Sequence, residues 1–537
     1  MRHGVARCGR IASVALTAAS LAGGIAVAGC TSSGSSAPSA SSARPASTTI
    51  TFAGAAAPAG SSAYPNGDLA NTRDATGSEI SSSNVASLKE AWTFELPGPA
   101  ASTGVSPYGS LAAAPIVANG VVYLQDLHAN VYAVTLATGR LKWEYQANLA
   151  EKSGPGPDGV AVANGVVYGD TSAAVFALNA ANGKVIWTDG SLLNSGQGAF
   201  EIQPTVANGR VYLASAYGSG PGGGILLALD AATGRELWTF NTVVGGVAPG
   251  VQALGRGSGG AWETPLVGTD GTVTFGTGNP YQSLGEAISH PARQLYTDSE
   301  VNLNAATGKL NWYYQALPND FSDHDLQTSP IAATVGGVPA IIASGKLGIV
   351  YAMNASTGSV LWQTPVGVHN GTDDDSALLL AHKLTIKFPY TVEPGPLGGV
   401  LTNMAMADGS VYLATIDLPI RYTSPSALKS AGVASTGEIE ALNVATGKVE
   451  WDTKVPNLPL GAATVSNDLV FTTLYSGELL ALNRSTGAIV YQRKLPVGTN
   501  SPIAIAGNTV LVPAGAPQTS AAKSSGKPQL IAYTVTE

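Results

Sequence analysis

Asp323 and Asp325, separated only by His324 in the stretch Asn319-Asp-Phe-Ser-Asp-His-Asp325, form a pair of carboxylates with a chemical use. In an extended loop, residues two apart point to one side, so both carboxylates can face one cation. A hard cation such as Ca²⁺ takes oxygen ligands. An ion held there polarises a bound carbonyl while a carboxylate beside it takes a proton. Taken singly, Asn279 before Pro280 is more often a turn residue, and Asp323 and Asp325 are more often solvated loop acids. Asp373-Asp-Asp375, after His369-Asn-Gly, reads as a solvated charge run rather than a Ca²⁺ loop. His128, His290 and His382 show no metal-ligand spacing, and no Gly-rich phosphate motif follows a strand, which argues against a nucleotide cofactor. There is no Cys-x-x-Cys-His, so no c-type haem is expected and electrons taken from a substrate would leave through a separate carrier.

The elements that must position these groups are repeats. Tyr-Ala-Val-Thr-Leu-Ala-Thr-Gly leads to Trp143, Phe-Ala-Leu-Asn-Ala-Ala-Asn-Gly to Trp187 and Leu-Ala-Leu-Asp-Ala-Ala-Thr-Gly to Trp238; further copies end at Trp312, Trp362, Trp451 and Tyr491. In each copy a Gly stands four residues before the aromatic, at 139, 183, 234, 308, 358, 447 and 487, where positive φ closes a hairpin. Pairs such as Asn119-Gly-Val-Val-Tyr123 supply two more strands per repeat around another Asn-Gly turn. A blade of four short strands exposes both faces and needs a neighbour on each side. The segment Gln529–Val535 resembles a third strand without its turn and aromatic, and Leu88-Lys-Glu-Ala-Trp92 resembles a fourth strand with no repeat before it. Their pairing would latch an all-β, eight-bladed β-propeller of four-stranded antiparallel blades, closed by the N- and C-terminal strands. The repeated Trp residues then wedge between blades. Of the eight Trp, only Trp262 lies off the repeat position.

Before the repeats stands an address. Arg2, Arg7 and Arg10 precede an Ala-rich apolar stretch ending in Val27-Ala-Gly-Cys30, the pattern of a lipoprotein signal peptide over residues 1–29 with Cys30 as lipidation site. Residues 30–62, rich in Ser, Ala and Pro, read as a flexible stalk, and residues 63–537 as the propeller. The expectation is a secreted protein, lipid-anchored on the extracytoplasmic face of the membrane. The only other cysteine, Cys8, lies within the signal, so no disulfide is expected to support the fold. The signal holds three of the 27 Lys and Arg and none of the 35 acids, which leaves an acidic mature chain and argues against nucleic-acid partners.

From about residue 65 to 537 the sequence resembles the pyrroloquinoline quinone (PQQ)-dependent alcohol dehydrogenases. The resemblance rests on Asn71-Thr-Arg-Asp through Trp92-Thr-Phe, Trp262-Glu-Thr-Pro, Phe275-Gly-Thr-Gly-Asn-Pro280, Gln294-Leu-Tyr-Thr-Asp-Ser, Trp312-Tyr-Tyr-Gln and Asn319 to Asp325, in that order. It implies that Trp262 stacks on the quinone and Asn279 ligates the metal. Asp323 would be the catalytic base at the metal, and Asp325 the second carboxylate of lanthanide-using members. Lys346, in Ser344-Gly-Lys-Leu-Gly, matches the cation that stabilises the reduced quinone's oxygen. The implied cofactors are PQQ with Ca²⁺ or a lanthanide, the partners an alcohol substrate and an external electron acceptor. This chain departs from the pattern in several places. Ala214–Gly224 lacks the glutamate ligand, Lys152–Gly159 lacks the vicinal cysteines and adjacent Arg, Ala112 replaces a Glu, and Ser322 replaces a Trp. Two functions therefore compete: a quinoprotein alcohol dehydrogenase, or a cofactor-free propeller lipoprotein acting as a cell-envelope scaffold that binds envelope proteins.

Overall fold

The computed structural model describes residues 61–75, 77–97, 108–147, 158–216, 223–243, 259–432, 435–517 and 526–535. Cys30, the signal and almost all of the stalk fall outside them. The regular structure of the described residues is almost all strand, in antiparallel sheets of four strands that are consecutive along the chain except in the sixth, where Ile420–Ser424 and Ala427–Ser430 intervene. The first is Ile116–Ala118, Val121–Gln125, Val131–Thr135 and Leu141–Tyr145, and six more follow along the chain. The third carries an additional short strand, Ala199–Phe200, on Arg210–Ala216. The last sheet joins Ala504–Ala506, Thr509–Ala514 and Gln529–Thr534 to Lys89–Glu95, so the two ends of the folded chain share one sheet.

The spacing of ten residues between the Ala and the aromatic has a structural cause. Ala133 pairs with Trp143, Ala177 with Trp187, Ala228 with Trp238, Ala352 with Trp362, Ala441 with Trp451 and Ala481 with Tyr491 across the outer hairpin. Each hairpin has a one-residue register shift directly beyond that pair, which increases the local twist. Ala532 pairs with Trp92 in the shared sheet. Middle strands are buried up to their last residue, as in Val131–Thr135, whereas outer strands alternate, as in Val360–Pro365.

Neighbouring sheets are stitched by the repeated tryptophans. Each indole N–H donates to a carbonyl just before the turn of the following repeat: Trp92 to Leu136, Trp143 to Ala180, Trp187 to Ala231, Trp238 to Ala305, Trp312 to Ala355, Trp362 to Val444 and Trp451 to Arg484, at 2.7–3.1 Å. The turn glycine lies against the same indole. A Cβ at Gly358, where φ is +69°, would stand 2.4 Å from the Trp312 ring, so both backbone and space require glycine. Tyr491 takes the eighth place, and Arg493 beside it donates to Leu88 O at 2.9 Å and lies over the Tyr533 ring.

Two features outside the repeats shape the site. The segment before Ile80 runs along the inner strands, bonding in turn to Val117, Ala332, Met406, Val465 and Gly507. On another side, the helices Leu284–Ser289 and Asp375–Leu380 and the small sheet Tyr390–Val392, Ile420–Ser424 and Ala427–Ser430 surround an apolar cluster of Leu284, Ala287, Phe321, Leu379, Val392 and Tyr422. The acidic run 373–375 is not simply solvated, as its sequence suggests. Asp373 bonds the His369 ring at 2.8 Å, and Asp375, buried, opens the second helix.

Candidate cofactor site

The five residues singled out by sequence converge. Asn279 follows Thr272–Gly276, the second strand of the fourth sheet, and Trp262 precedes that sheet's first strand, Leu266–Val267. Asp323 and Asp325 lie between the fourth and fifth sheets, and Lys346 directly after Val338–Ala343. The Lys346 ammonium stands 3.1 Å from Asp323 Oδ1, in direct contact with Asp325 Oδ2, and 5.6 Å from the centre of the Trp262 ring. The backbone N–H of Asn279 donates to Asp325 Oδ1 at 2.7 Å, and its side-chain NH₂ donates to the same oxygen at 2.8 Å and to Asp323 Oδ1. Asn279 thus turns its amide nitrogen to the carboxylates, while its oxygen accepts from Tyr281 N at 2.5 Å. A half-turn of the amide would present Oδ1 to a shared ion.

Backbone contacts explain the convergence. Gly278 meets the Trp262 ring and Asp325, and a Cβ there would be 2.8–2.9 Å from both. At Gly345 a Cβ would overlap the Asp325 carbonyl at 1.9 Å, so the turn that carries Lys346 approaches as only glycine permits. Lys346 N in turn donates to that carbonyl at 3.0 Å.

The carboxylates do not share a side because the loop is extended. Asp323 has φ of +59°, a left-handed conformation that Asp tolerates, and the loop is folded over Asp320, whose carboxylate accepts from Ser322 N and His324 N. Its outer side is fastened to the surrounding insert. Ser322 Oγ meets Tyr422 OH at 3.0 Å, the His324 ring meets Pro394 O at 2.8 Å, and Asn319 N donates to Ser376 Oγ at 2.9 Å.

Electrostatics follow from burial. Burial would lower the Lys346 pKa, but Asp323 and Asp325 outweigh it and hold the ammonium above its ordinary value. Desolvation and the neighbouring Asp325 raise Asp323 well above the usual carboxylate range, against the pull of Lys346. Asp325 is fully buried, whereas Asp323 keeps 38% of its side chain open, so Asp323 is the carboxylate a substrate can reach.

Sequence reading alone did not find the buried polar network next to Trp262 in the chain, around Arg73 and Glu263. Arg73 donates to Ala463 O, Asn66 Oδ1, Thr464 Oγ1 and Ile503 O, and Asn403 donates to Glu263 Oε2 at 2.7 Å. Desolvation pushes Glu263 up to about 7 against the pull of Asn403 and Arg73. The one available signal was Arg73 itself, within Asn71-Thr-Arg-Asp. Of the departures, Ala112 packs with Leu127 and Tyr108, while residues 217–222, at the place of the missing glutamate, lie outside the described residues.

Among the described residues no group of three or more His, Cys, Asp or Glu side chains is arranged around a metal position. The donor set is instead two carboxylates and one amide, whose oxygens suit a hard cation. With an indole floor and an ammonium over it, the residues fit a flat, metal-bound quinone.

This repeat architecture and site define the class: a β-propeller of the quinoprotein type. Residues 63–367 match the family model described as the glucose/ethanol/alcohol dehydrogenase β-propeller domain, and the chain belongs to that PQQ family. Residues 435–535 match the model for the outer membrane protein assembly factor BamB. Among characterised relatives, quinoprotein alcohol dehydrogenase PedH of Pseudomonas putida is 28% identical over 309 residues, 52% of this chain and 50% of that protein. Quinoprotein ethanol dehydrogenase of Pseudomonas aeruginosa is 25% identical over 485 residues, 75% of this chain and 77% of that protein. The chain thus spans half of the first and about three quarters of the second. Of solved structures, quinohemoprotein alcohol dehydrogenase from Comamonas testosteroni has a TM-score of 0.75 at 22% identity, covering 89% of this chain and 81% of that one, which shows a shared fold.

Proposed function

We propose that this protein is a quinoprotein dehydrogenase that oxidises an alcohol and passes the electrons to an external acceptor. The observation that carries the reading is the meeting of Asp323, Asp325 and Asn279 with Lys346 over the face of Trp262. Asn279, Asp323 and Asp325 would hold Ca²⁺ or a lanthanide, and Trp262 would seat the quinone. When bound, the quinone with its metal supplies the two-electron acceptor for the alcohol's hydride. The chain supplies the rest. Asp323 takes the hydroxyl proton at its carboxylate, Lys346 balances negative charge above the floor, and the buried Asp325 orients both through Lys346 and Asn279.

The test is reconstitution of the purified protein with excess PQQ and Ca²⁺ or a lanthanide in turn, watched by absorbance. Saturable binding that depends on the metal is expected. No binding under any of these conditions would leave the envelope-scaffold reading, which draws on the match of residues 435–535 to the BamB model.

The same reading includes an eight-bladed ring, latched where Lys89–Glu95 joins Gln529–Thr534. It is supported by apolar clusters that join the seventh sheet to the last and the last to the first. It also includes lipidation at Cys30, which would tether the protein outside the cytoplasmic membrane. Cell fractionation should find the wild type with membranes and a Cys30→Ala variant in the soluble fraction. Equal membrane association of the two would refute lipidation.

A further inference from the structure

Asp323 stands in a backbone conformation that its neighbours must enforce. Its φ of +59° is left-handed, which is costly for a residue with a Cβ and persists only where the surroundings over-determine it. Asp320 fixes the loop from within, accepting from Ser322 N and His324 N. From outside, Tyr422 fastens the two residues directly before Asp323. Its hydroxyl donates to Phe321 O at 3.1 Å and, with that proton committed, accepts from Ser322 Oγ at 3.0 Å. Its ring meets the Phe321 ring edge-on, with centroids 6.0 Å apart.

Tyr422 is itself a fixed post. It lies in Ile420–Ser424, the middle strand of the small sheet, paired with Tyr390 on one side and Leu428 on the other. Its side chain is buried among Leu284, Ala287, Leu379 and Val392. The chain leading to that strand also meets the turn that carries Lys346. Gly399 and Ile416 bond each other in both directions, at 3.0 and 2.9 Å, and Val400 N donates to Gly345 O at 3.0 Å. Gly399 leaves no room for a Cβ against the Lys346 carbonyl. The insert therefore braces both partners of the 3.1 Å contact between Lys346 and Asp323.

We propose that Tyr422 is a positioning residue for the catalytic base, acting through Ser322 and Phe321 to keep the Asp323 carboxylate turned into the site. This rests on the quinoprotein reading, in which Asp323 takes the alcohol's proton. Tyr422→Phe keeps the ring and its packing but removes the hydroxyl that Ser322 Oγ and Phe321 O share. The loop then loses its outer fastening and leaves a buried carbonyl without that donor. Displacing a catalytic group by about 1 Å costs up to about a hundredfold in rate, so a loosened base slows turnover far more than it disturbs substrate binding.

The experiment compares wild type with Tyr422→Phe in two ways. In the first, both are loaded with excess PQQ and lanthanide, and dye-linked oxidation of a series of primary alcohols is measured per bound quinone. The kcat of the variant should fall about tenfold or more, with KM for the alcohol within about twofold of wild type. In the second, without cofactor, amide hydrogen exchange is followed by mass spectrometry. Exchange over residues 319–325 should quicken about tenfold in the variant, the order set by one lost buried hydrogen bond, while exchange over Val131–Thr135 stays as in wild type. A variant kcat within about twofold of wild type, or unchanged exchange in the loop, would overturn the proposal and leave the quinoprotein reading standing. If the wild type binds no quinone or oxidises none of the alcohols, that reading falls and takes the proposal with it. Should Tyr422→Phe fail to fold, Ser322→Ala removes one of the two contacts and should lower kcat per bound quinone severalfold; no loss there would overturn the proposal.

Discussion

Replacing Asp323 by Ala is expected to lower dye-linked alcohol oxidation by the reconstituted protein about a hundredfold or more, the range in which a positioned general base contributes. Asp323 is the one carboxylate of the pair open to a substrate, and it stands 3.1 Å from the only ammonium seen over the indole face among the described residues. Its loss removes the proton acceptor but leaves the Trp262 floor and the buried Asp325 in place. With metal and quinone in excess, quinone binding by absorbance should therefore persist, weakened by the loss of one metal ligand, while turnover does not. Asp325→Ala should differ in kind. Asp325 accepts from both N–H groups of Asn279 and contacts Lys346, so its removal should weaken lanthanide binding first, since a trivalent ion draws most on ligand charge. Turnover of Asp323→Ala within a factor of a few of wild type, at equal quinone occupancy, would assign the base elsewhere.

Deleting residues 528–537 is expected to unfold the whole propeller rather than fray its end. Gln529–Thr534 is an interior strand, paired on one side with Thr509–Ala514 and on the other with Lys89–Glu95, so its removal leaves both partners with open edges. Leu530, Ile531 and Ala532 are fully buried and Tyr533 is 2% exposed. Burial of each large apolar side chain contributes about 1.5–3 kcal/mol, so losing three of them approaches the 5–15 kcal/mol that stabilises a typical fold. The truncated chain should lose its cooperative melting transition and become sensitive to protease throughout. A truncated protein melting at the wild-type temperature would show that the shared sheet is not a latch.

The repeat architecture was legible in the sequence because its signals are local. An outer hairpin with one bulge places the aromatic ten residues after its Ala partner and four after the turn Gly, and each hairpin records this in a dozen residues. The off-repeat position of Trp262 and the order Asn279, Asp323, Asp325, Lys346 were legible for the same reason. The shape of the site was not. Asp323 and Asp325 converge through a loop folded on Asp320 with Asp323 left-handed, and the inserted elements that brace it, Leu284–Ser289, Asp375–Leu380, Tyr390–Val392, Ile420–Ser424 and Ala427–Ser430, follow no repeat. Nor did any local pattern join Arg73 to Ala463 and Ile503, or Glu263 to Asn403. Sequence determined which groups are present and which hairpins form, since those depend on neighbours along the chain. Only the tertiary structure decided which charges meet and which are buried, because these depend on distances and desolvation set by sheets far apart in sequence.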